Sequence, residues 1–380
     1  MKRSGIVKKT YGLFFLLVAI SYLIGSSQLM ADEKKRIVFL TPTSKNNTYW
    51  PQVHRILKAI SQKLPLDIDI YEFDVQDRFQ KQIRGVEILN SDPKPDGAVL
   101  SVAFGNALPL LETAEKRGIP VFIQGPLFPT ELPDLGRRPR NRFKMWVGYF
   151  YQDETKKGYL LGKTLLRAAH DGAMYASDGS IQVAGIGGDF SWFGSELRKK
   201  GLIQAVAEDP DATMLQVVPT KWTEEEGMAM AMGLINRYNE VAVIWAASDQ
   251  LGIGAANALV KAGRTLGVSA VTGGLDLSVN GLNHVKNGQL YATVSGALID
   301  YAAVTILLYD YAHGIDFSED VGTEISTPIH VAEKANADRF LWFYRSVETI
   351  DFSKLSKIHN PGLTHYDFSI SRLMDISRQP

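Results

Sequence analysis

The chain contains no cysteine, which excludes a disulfide scaffold, a thiolate metal site, a cysteine nucleophile and a lipid-anchored N-terminal cysteine. It has no excess of charge of either sign, since 41 basic side chains meet 41 acidic ones in 380 residues. No apolar run reaches the roughly 18 residues of a membrane-spanning helix, and no repeat of solenoid length is visible. What is present is a 45% hydrophobic composition, too apolar for a disordered or collagen-like chain and sufficient for a core without disulfides. The length suggests two or three domains at roughly 100–200 residues each.

Motifs for chemistry are also missing. The seven histidines show no HExxH or HxxxH spacing, and neither a GxSxG elbow nor a GxxxxGK[ST] phosphate loop occurs. Two glycine clusters fail the dinucleotide fingerprint, one ending at Phe190 and the other at Asn257. Asp249 and Asp276 both follow strands, as a glycosidase pair would, but nothing else in the sequence supports hydrolysis. The expectation is a protein without enzymatic activity, cofactor or metal.

The neutral total hides an asymmetry. Residues 1–31 carry Lys2, Arg3, Lys8 and Lys9 and no acid, leaving the other 349 residues at −4. A mildly acidic body argues against nucleic-acid binding. The basic start, an uncharged run over 11–24 and Ala31 before the cut read as a secretory signal peptide over 1–31. The expectation is a soluble, exported monomer, with an uncleaved N-terminal membrane anchor as the alternative reading.

From Arg36 onward the pattern alternates. Apolar runs at 37–40, 68–73, 97–101 and 120–124 read as buried parallel strands, separated by amphipathic helices at 50–64, 77–90 and 107–116. A loop rich in proline and arginine over 126–142 breaks the rhythm. The alternation then resumes with strands at 144–148, 180–186, 213–218, 241–247, 268–273 and 291–295. The helices between them are 151–169, 191–208, 223–238, 249–261 and 278–286. This is an α/β fold of doubly wound parallel sheets, and some ten strands divided by one break predict two lobes.

Ligands of open parallel sheets bind outside the carboxyl ends of the strands. The loops there offer Tyr49, Trp50, Tyr149, Phe190, Trp192 and Trp222 as aromatic faces. Beside them lie Asn47, Gln124, Arg198, Ser248, Asp249 and Asp276 as hydrogen-bonding groups. Aromatic faces stack on the C–H face of a sugar ring while carboxylates, amides and a guanidinium take its hydroxyls, so the mixture suits a small neutral polyol. Asp249 and Asp276 read equally as helix caps. Arg198 also reads as one member of a solvated group with Lys199 and Lys200.

Several segments resemble the periplasmic sugar-binding proteins of the ribose-binding type, the type I solute-binding fold. RIVFLTPTSKNNTYW, PDGAVLS, KRGIPVFIQG and ELRKKGLIQAVAEDP carry the likeness. The most specific are AVIWAASDQLGIGAANALVKAG and GGLDLSVNGLNHVKNGQLYATV, and the resemblance covers roughly 36–345. It implies two lobes joined by a three-strand hinge, one from 32–149 and 297–324 and the other from 150–296 and 325–345, with 346–380 as an extension. It implies that Asn47, Trp50, Gln124, Trp222, Ser248, Asp249 and Asp276 stand at ligand positions. It further implies hinge closure on a sugar-like ligand and delivery to a membrane partner, either an ABC transporter permease or a sensor kinase. Three positions depart from the pattern. Ser248 stands for asparagine, Gly296 for a polar side chain, and Glu196 for the usual arginine. Arg198 lies at a position similar to that of the periplasmic furanosyl-borate autoinducer receptor, which has a pair like Tyr49-Trp50. The extension reads either as a structural strap or as a surface for a membrane partner, without a strong helical period.

Overall fold

A computed structural model describes residues 33–43, 48–73, 78–102, 105–296, 298–326 and 328–377. The export signal expected over 1–31 and the ligand position expected at Asn47 lie outside these residues. No helix among the described residues is long and apolar enough to cross a membrane.

Two six-stranded sheets organise the chain. The first contains β1 (Lys35–Pro42), β2 (Leu66–Phe73), β3 (Gly97–Ser101), β4 (Val121–Gln124), β5 (Trp146–Tyr151) and the late strand β11 (Glu324–Ser326), in the order β11-β5-β4-β3-β1-β2. The second contains β6 (Ile181–Ile186), β7 (Ala212–Val218), β8 (Val243–Ala246), β9 (Val271–Leu275), β10 (Ala292–Gly296) and β12 (Ile329–Glu333), in the order β12-β10-β9-β8-β6-β7. All pairings are parallel except that of β10 with β12. β3, β8 and β9 are buried at every residue, because helices cover both faces of a parallel sheet and leave no wet side.

In the first lobe α1 (Trp50–Ser61) turns Val53, Ile56, Leu57 and Ile60 inward, while α2 (Arg78–Leu89) and α3 (Ala107–Arg117) cover the opposite face. A four-residue helix, α4 (Leu132–Leu135), lies in the proline-rich connection. The second lobe carries α5 (Glu154–Asp171), α6 (Phe193–Ala207), α7 (Glu224–Arg237), α8 (Asp249–Lys261) and α9 (Val279–Lys286). Side chains set several starts: Asp153, Thr223, Ser248 and Ser278 each accept a hydrogen bond from the third amide onward.

The chain passes between the lobes three times, from β5 to α5, from β10 to α10 (Ile299–Ala312), and from β11 to β12. The sequence pattern did not expose α10. It is buried from Ile299 to Asp310 on all sides, so it has no polar face and no amphipathic period to read. A single turn, α11 (Ser318–Val321), follows it.

The extension is more ordered than its sequence suggests. After α12 (Ala337–Ser346) come two 3-10 turns, at Val347–Thr349 and Phe352–Leu355, and a terminal helix, α13 (Ile370–Ser377). Arg55 of α1 pairs with Glu348, and Asp310 of α10 accepts hydrogen bonds from Ser356 Oγ, Lys357 N and Tyr366 Oη. α13 then packs back on α12, beside α9 of the second lobe. The segment is thus a strap that touches both lobes.

Candidate functional site

The carboxyl ends of β6 to β9 bring four of the expected side chains together. Trp192 precedes α6 and Trp222 precedes α7; their rings meet edge to face at 5.7 Å. Trp222 lies in the left-handed backbone region, at φ 74°, and its indole covers Gly188. A Cβ at 188 would come 1.9 Å from that ring, so only glycine lets the indole lie flat on the β6 loop.

Arg198, on α6, lies within both indoles' reach, at 5.1 Å from the Trp192 ring and 5.7 Å from that of Trp222. It does not belong to a solvated basic group; it is 6% exposed. Its Nε donates to Glu154 Oε2 at 2.6 Å, its Nη1 donates to the Ala247 carbonyl at 2.6 Å, and Asp276 Oδ1 stands 3.7 Å away. Among the described residues Nη2 has no hydrogen-bond partner, which leaves that edge free for an acceptor.

Asp276 ends the β9 loop at φ 125°, followed by Leu277 at φ 52°. Burial pushes its carboxyl up to about 6, against the opposing pull of Arg198 and Lys157. The turn is held from behind by Asp249. Asp249 is fully buried at the start of α8, lies against Gly274 and Gly281, and its Oδ2 accepts from Ser278 N and Oγ. Burial and the neighbouring Asp276 raise its carboxyl to about 7. Ser248 caps α8 through the Leu251 amide. Sequence reasoning offered Ser248 as a ligand contact, and Asp249 and Asp276 as ligand contacts or helix caps; the caps are Ser248 and Ser278. Ser248 takes the capping place, while Asp249 supports the Asp276 turn from inside the lobe.

Two residues missed by the sequence reading complete the charge pattern. Glu154 Oε2 also accepts from Lys157 Nζ at 2.7 Å, and both side chains are at most 8% exposed. Arg198 and Lys157 bring the Glu154 carboxyl below its ordinary value in spite of its burial. Burial and the charge of Arg198 lower the Lys157 ammonium to about 8, against Glu154 and Asp276. Both sit in the first turn of α5, where they look like ordinary surface charges. The available signal was that this turn also follows a strand's carboxyl end.

The first lobe supplies the facing wall. Tyr49 and Trp50 meet at 5.3 Å and both pack edge-on against Tyr301 of α10. Burial, Tyr301 and the Asp276 charge push the Tyr49 phenol well up, so this wall shares the electrostatic field of the Asp276 loop. The lobes touch where Thr48 N donates to Gln250 Oε1 at 3.4 Å, where Val279 N donates to Gln52 Oε1 at 3.2 Å, and where Phe128 stacks on Phe193 at 4.8 Å. The three expected residues that remain have local partners. Gln124 Oε1 accepts from Ser101 Oγ at 2.7 Å, the Tyr149 hydroxyl accepts from Leu127 N, and Phe190 lies under Lys199 at 4.2 Å.

Away from the cleft, His170, Asp209 and Asp211 place ligand atoms within 4.8 Å of one another, and His170 Nε2 already bonds Asp209 at 3.0 Å.

Comparisons with known proteins follow the same outline. Residues 37–313 match the family described as periplasmic binding protein domain. A xylitol-binding protein of Mycolicibacterium smegmatis is 35% identical over 97 residues, covering 25% of this chain and 27% of that protein. The ribose import binding protein of Salmonella typhimurium is 26% identical over 149 residues, 39% of this chain and 46% of the relative. The match thus spans less than half the length of either relative. A periplasmic sugar-binding protein from Pseudomonas fluorescens superposes with a TM-score of 0.77 at 24% identity, covering 90% of this chain and 99% of its own. A solute-binding protein of Actinobacillus succinogenes, solved with D-allose, gives 0.68 at 21% identity, covering 80% and 99%. These identities speak to the fold: two parallel-sheet lobes of the type I binding-protein kind. None of these four relatives is described as an autoinducer receptor. By the span of the family match, the chain belongs to the periplasmic binding protein domain family, a family of binding proteins.

Proposed function

We propose that the protein captures one small hydroxyl-rich solute, a sugar or sugar alcohol, in the periplasm and delivers it to a membrane permease of the ABC type. The observation that carries this reading is the Arg198–Asp276 pair framed by Trp192 and Trp222. A guanidinium edge, a carboxylate and two aromatic faces supply donor, acceptor and stacking surface to a ring bearing hydroxyls. Asp276, Glu154 and Asp249 around two already paired cations disfavour an anionic solute such as a sugar phosphate or sugar acid. Relatives described as binding xylitol, importing ribose or holding D-allose support the same class. So does a Bacillus halodurans structure solved with myo-inositol.

In this reading Trp192 and Trp222 stack on the solute, Asp276 and Arg198 bind its hydroxyls, and Asn47, Tyr49, Trp50 and Gln124 close the first-lobe side. Tyr149 and Phe190 border the cleft. Lobe closure follows from ligand bridging the two walls. The test is a thermal-shift screen with xylitol, ribose, D-allose and myo-inositol, followed by calorimetry on any hit. At least one saturable partner with micromolar or tighter affinity is expected. No partner at millimolar concentration, or preference for a phosphorylated sugar, overturns the assignment.

A further inference from the structure

The hinge contains a polar chain that runs from the cleft into the crossovers. Arg198 Nε donates to Glu154 Oε2 at 2.6 Å; Lys157 Nζ donates to the same oxygen at 2.7 Å and to Gln152 Oε1 at 3.0 Å. Gln152 lies in the first crossover, between β5 and α5. Its Oε1 also accepts from Ser295 Oγ at 3.1 Å, and its Nε2 donates to Asp300 Oδ2 at 3.2 Å. Ser295 lies one residue before the end of β10 in the second lobe, whereas Asp300 lies in the first turn of α10 in the first. One amide therefore ties the first crossover to both sides of the second.

Gly296 makes this contact possible. A Cβ there would come 2.6 Å from Gln152 Nε2 and 2.8 Å from Asp300 Oδ2. A side chain at 296 would occupy the space in which the amide and the carboxylate meet. The partners of the half-buried Gln152 are dry: Lys157, Ser295, Asp300 and Glu154 are 2%, 1%, 5% and 7% exposed. Buried polar groups left without partners are costly, so such a chain favours the one backbone arrangement that satisfies all of it. Hinge opening changes backbone dihedrals in the crossovers, and with them the placement of residue 152 against residue 300.

We propose that Gln152 is a positioning residue that couples Arg198 to the hinge: the closed arrangement of the crossovers and the binding orientation of the guanidinium are held by the same amide. The coupling rests on the solute-binding reading for its purpose, but its mechanical half does not need a ligand. Lys157 and Glu154 transmit it, and Asp300 and Ser295 anchor it. Substituting the amide releases the crossovers from each other and frees Lys157 to draw Glu154 away from Arg198.

The absence of native cysteine permits a clean measurement. Glu87→Cys on α2 and Ala207→Cys on α6, both exposed, carry one spin label on each lobe. Interlobe distances are then compared by pulsed electron resonance in the parent, Gln152→Leu and Gly296→Ala. Without ligand, both substitutions should move the distribution toward longer distances. With whichever sugar shifts the parent, Gln152→Leu should weaken affinity at least tenfold, and Gln152→Leu combined with Asp300→Ala should add little more. Ligand-free distributions that superpose on the parent's overturn the proposal. If Gln152→Leu does not fold, Gly296→Ala decides alone, since it keeps every polar group and only displaces the amide. Should no sugar shift the parent, the solute reading fails, while the ligand-free comparison still decides the coupling.

Discussion

Asp249 and Ser278 form a two-point contact inside the second lobe: Asp249 Oδ2 accepts from Ser278 N at 2.8 Å and from Ser278 Oγ at 2.7 Å. The serine in turn caps α9 through Gly281 N at 3.0 Å. The clamp closes the Asp276–Leu277 turn, whose two positive φ angles would otherwise relax. Asp249 thus shapes the site through the turn that carries Asp276.

That burial has a pH signature. The folded pKa of Asp249 is raised to about 7, above its unfolded value of 3.8. A carboxyl shifted upward binds its proton more tightly when folded, so its stability contribution falls as pH rises from about 4 to about 7 and is constant beyond. Asp276, raised to about 6, acts in the same direction. Asp249→Asn removes one of these titrating carboxyls. Urea denaturation at pH 5 and pH 8 should therefore show a smaller loss of stability between the two in the variant than in the parent. An identical difference would mean that Asp249 does not titrate in this window.

Trp222→Ala tests the stacking wall. The ring covers Gly188 and borders Arg198, so its loss opens the cleft and leaves the guanidinium less confined. Affinity for the solute should fall at least tenfold, about 1.4 kcal/mol. Trp222→Phe should recover part of it by keeping an aromatic face. Titration calorimetry checks both; an unchanged dissociation constant in the alanine variant removes Trp222 from the site.

Much of the fold was legible because parallel strands buried on both faces are short apolar runs, and β3 at 97–101 matches its run residue for residue. α10 was not, since a helix buried all round carries no period. In the site, Arg198, Asp276, Trp192 and Trp222 were readable from the strand-end rule. Sequence could not tell which neighbouring groups pair with them. Arg198 and Lys199 are adjacent in the chain, yet one is pinned to Glu154 inside the lobe and the other pairs with Glu196 half in water. Helix phase decides that, and α6 shows almost no amphipathic contrast to reveal its phase.

Truncation after Ser346 probes the strap. It would strip Val347, Ile350, Phe352, Leu355, Leu373 and Ile376 from the core, all at most 1% exposed. At roughly 1.5–3 kcal/mol per side chain, the loss rivals the about 5–15 kcal/mol that holds a whole protein folded. The truncated chain should be insoluble or protease-sensitive. Tyr366→Phe removes only the hydroxyl that donates to Asp310 at 2.8 Å and should cost about 1–3 kcal/mol by urea denaturation. A truncated chain with native circular dichroism would show the strap to be dispensable.

Phe128 and Phe193 touch across the mouth of the cleft, one from the proline-rich loop of the first lobe and the other from the first residue of α6. Their planes are 23° apart at 4.8 Å, and separation of the two lobes would part the rings. Such a pair contributes about 0.5–1.5 kcal/mol beyond its buried area, so it stabilises the closed form without touching the open one. The consequence is kinetic. Phe128→Ala should raise the solute dissociation rate by about two- to tenfold, because release requires opening, and leave the association rate nearly unchanged. Stopped-flow tryptophan fluorescence separates the two rates. A double-mutant cycle with Phe193→Ala should show the second substitution adding less than it does alone. Additive effects would assign the rings to their own lobes, and equal dissociation rates in parent and variant would deny the latch any part in retention.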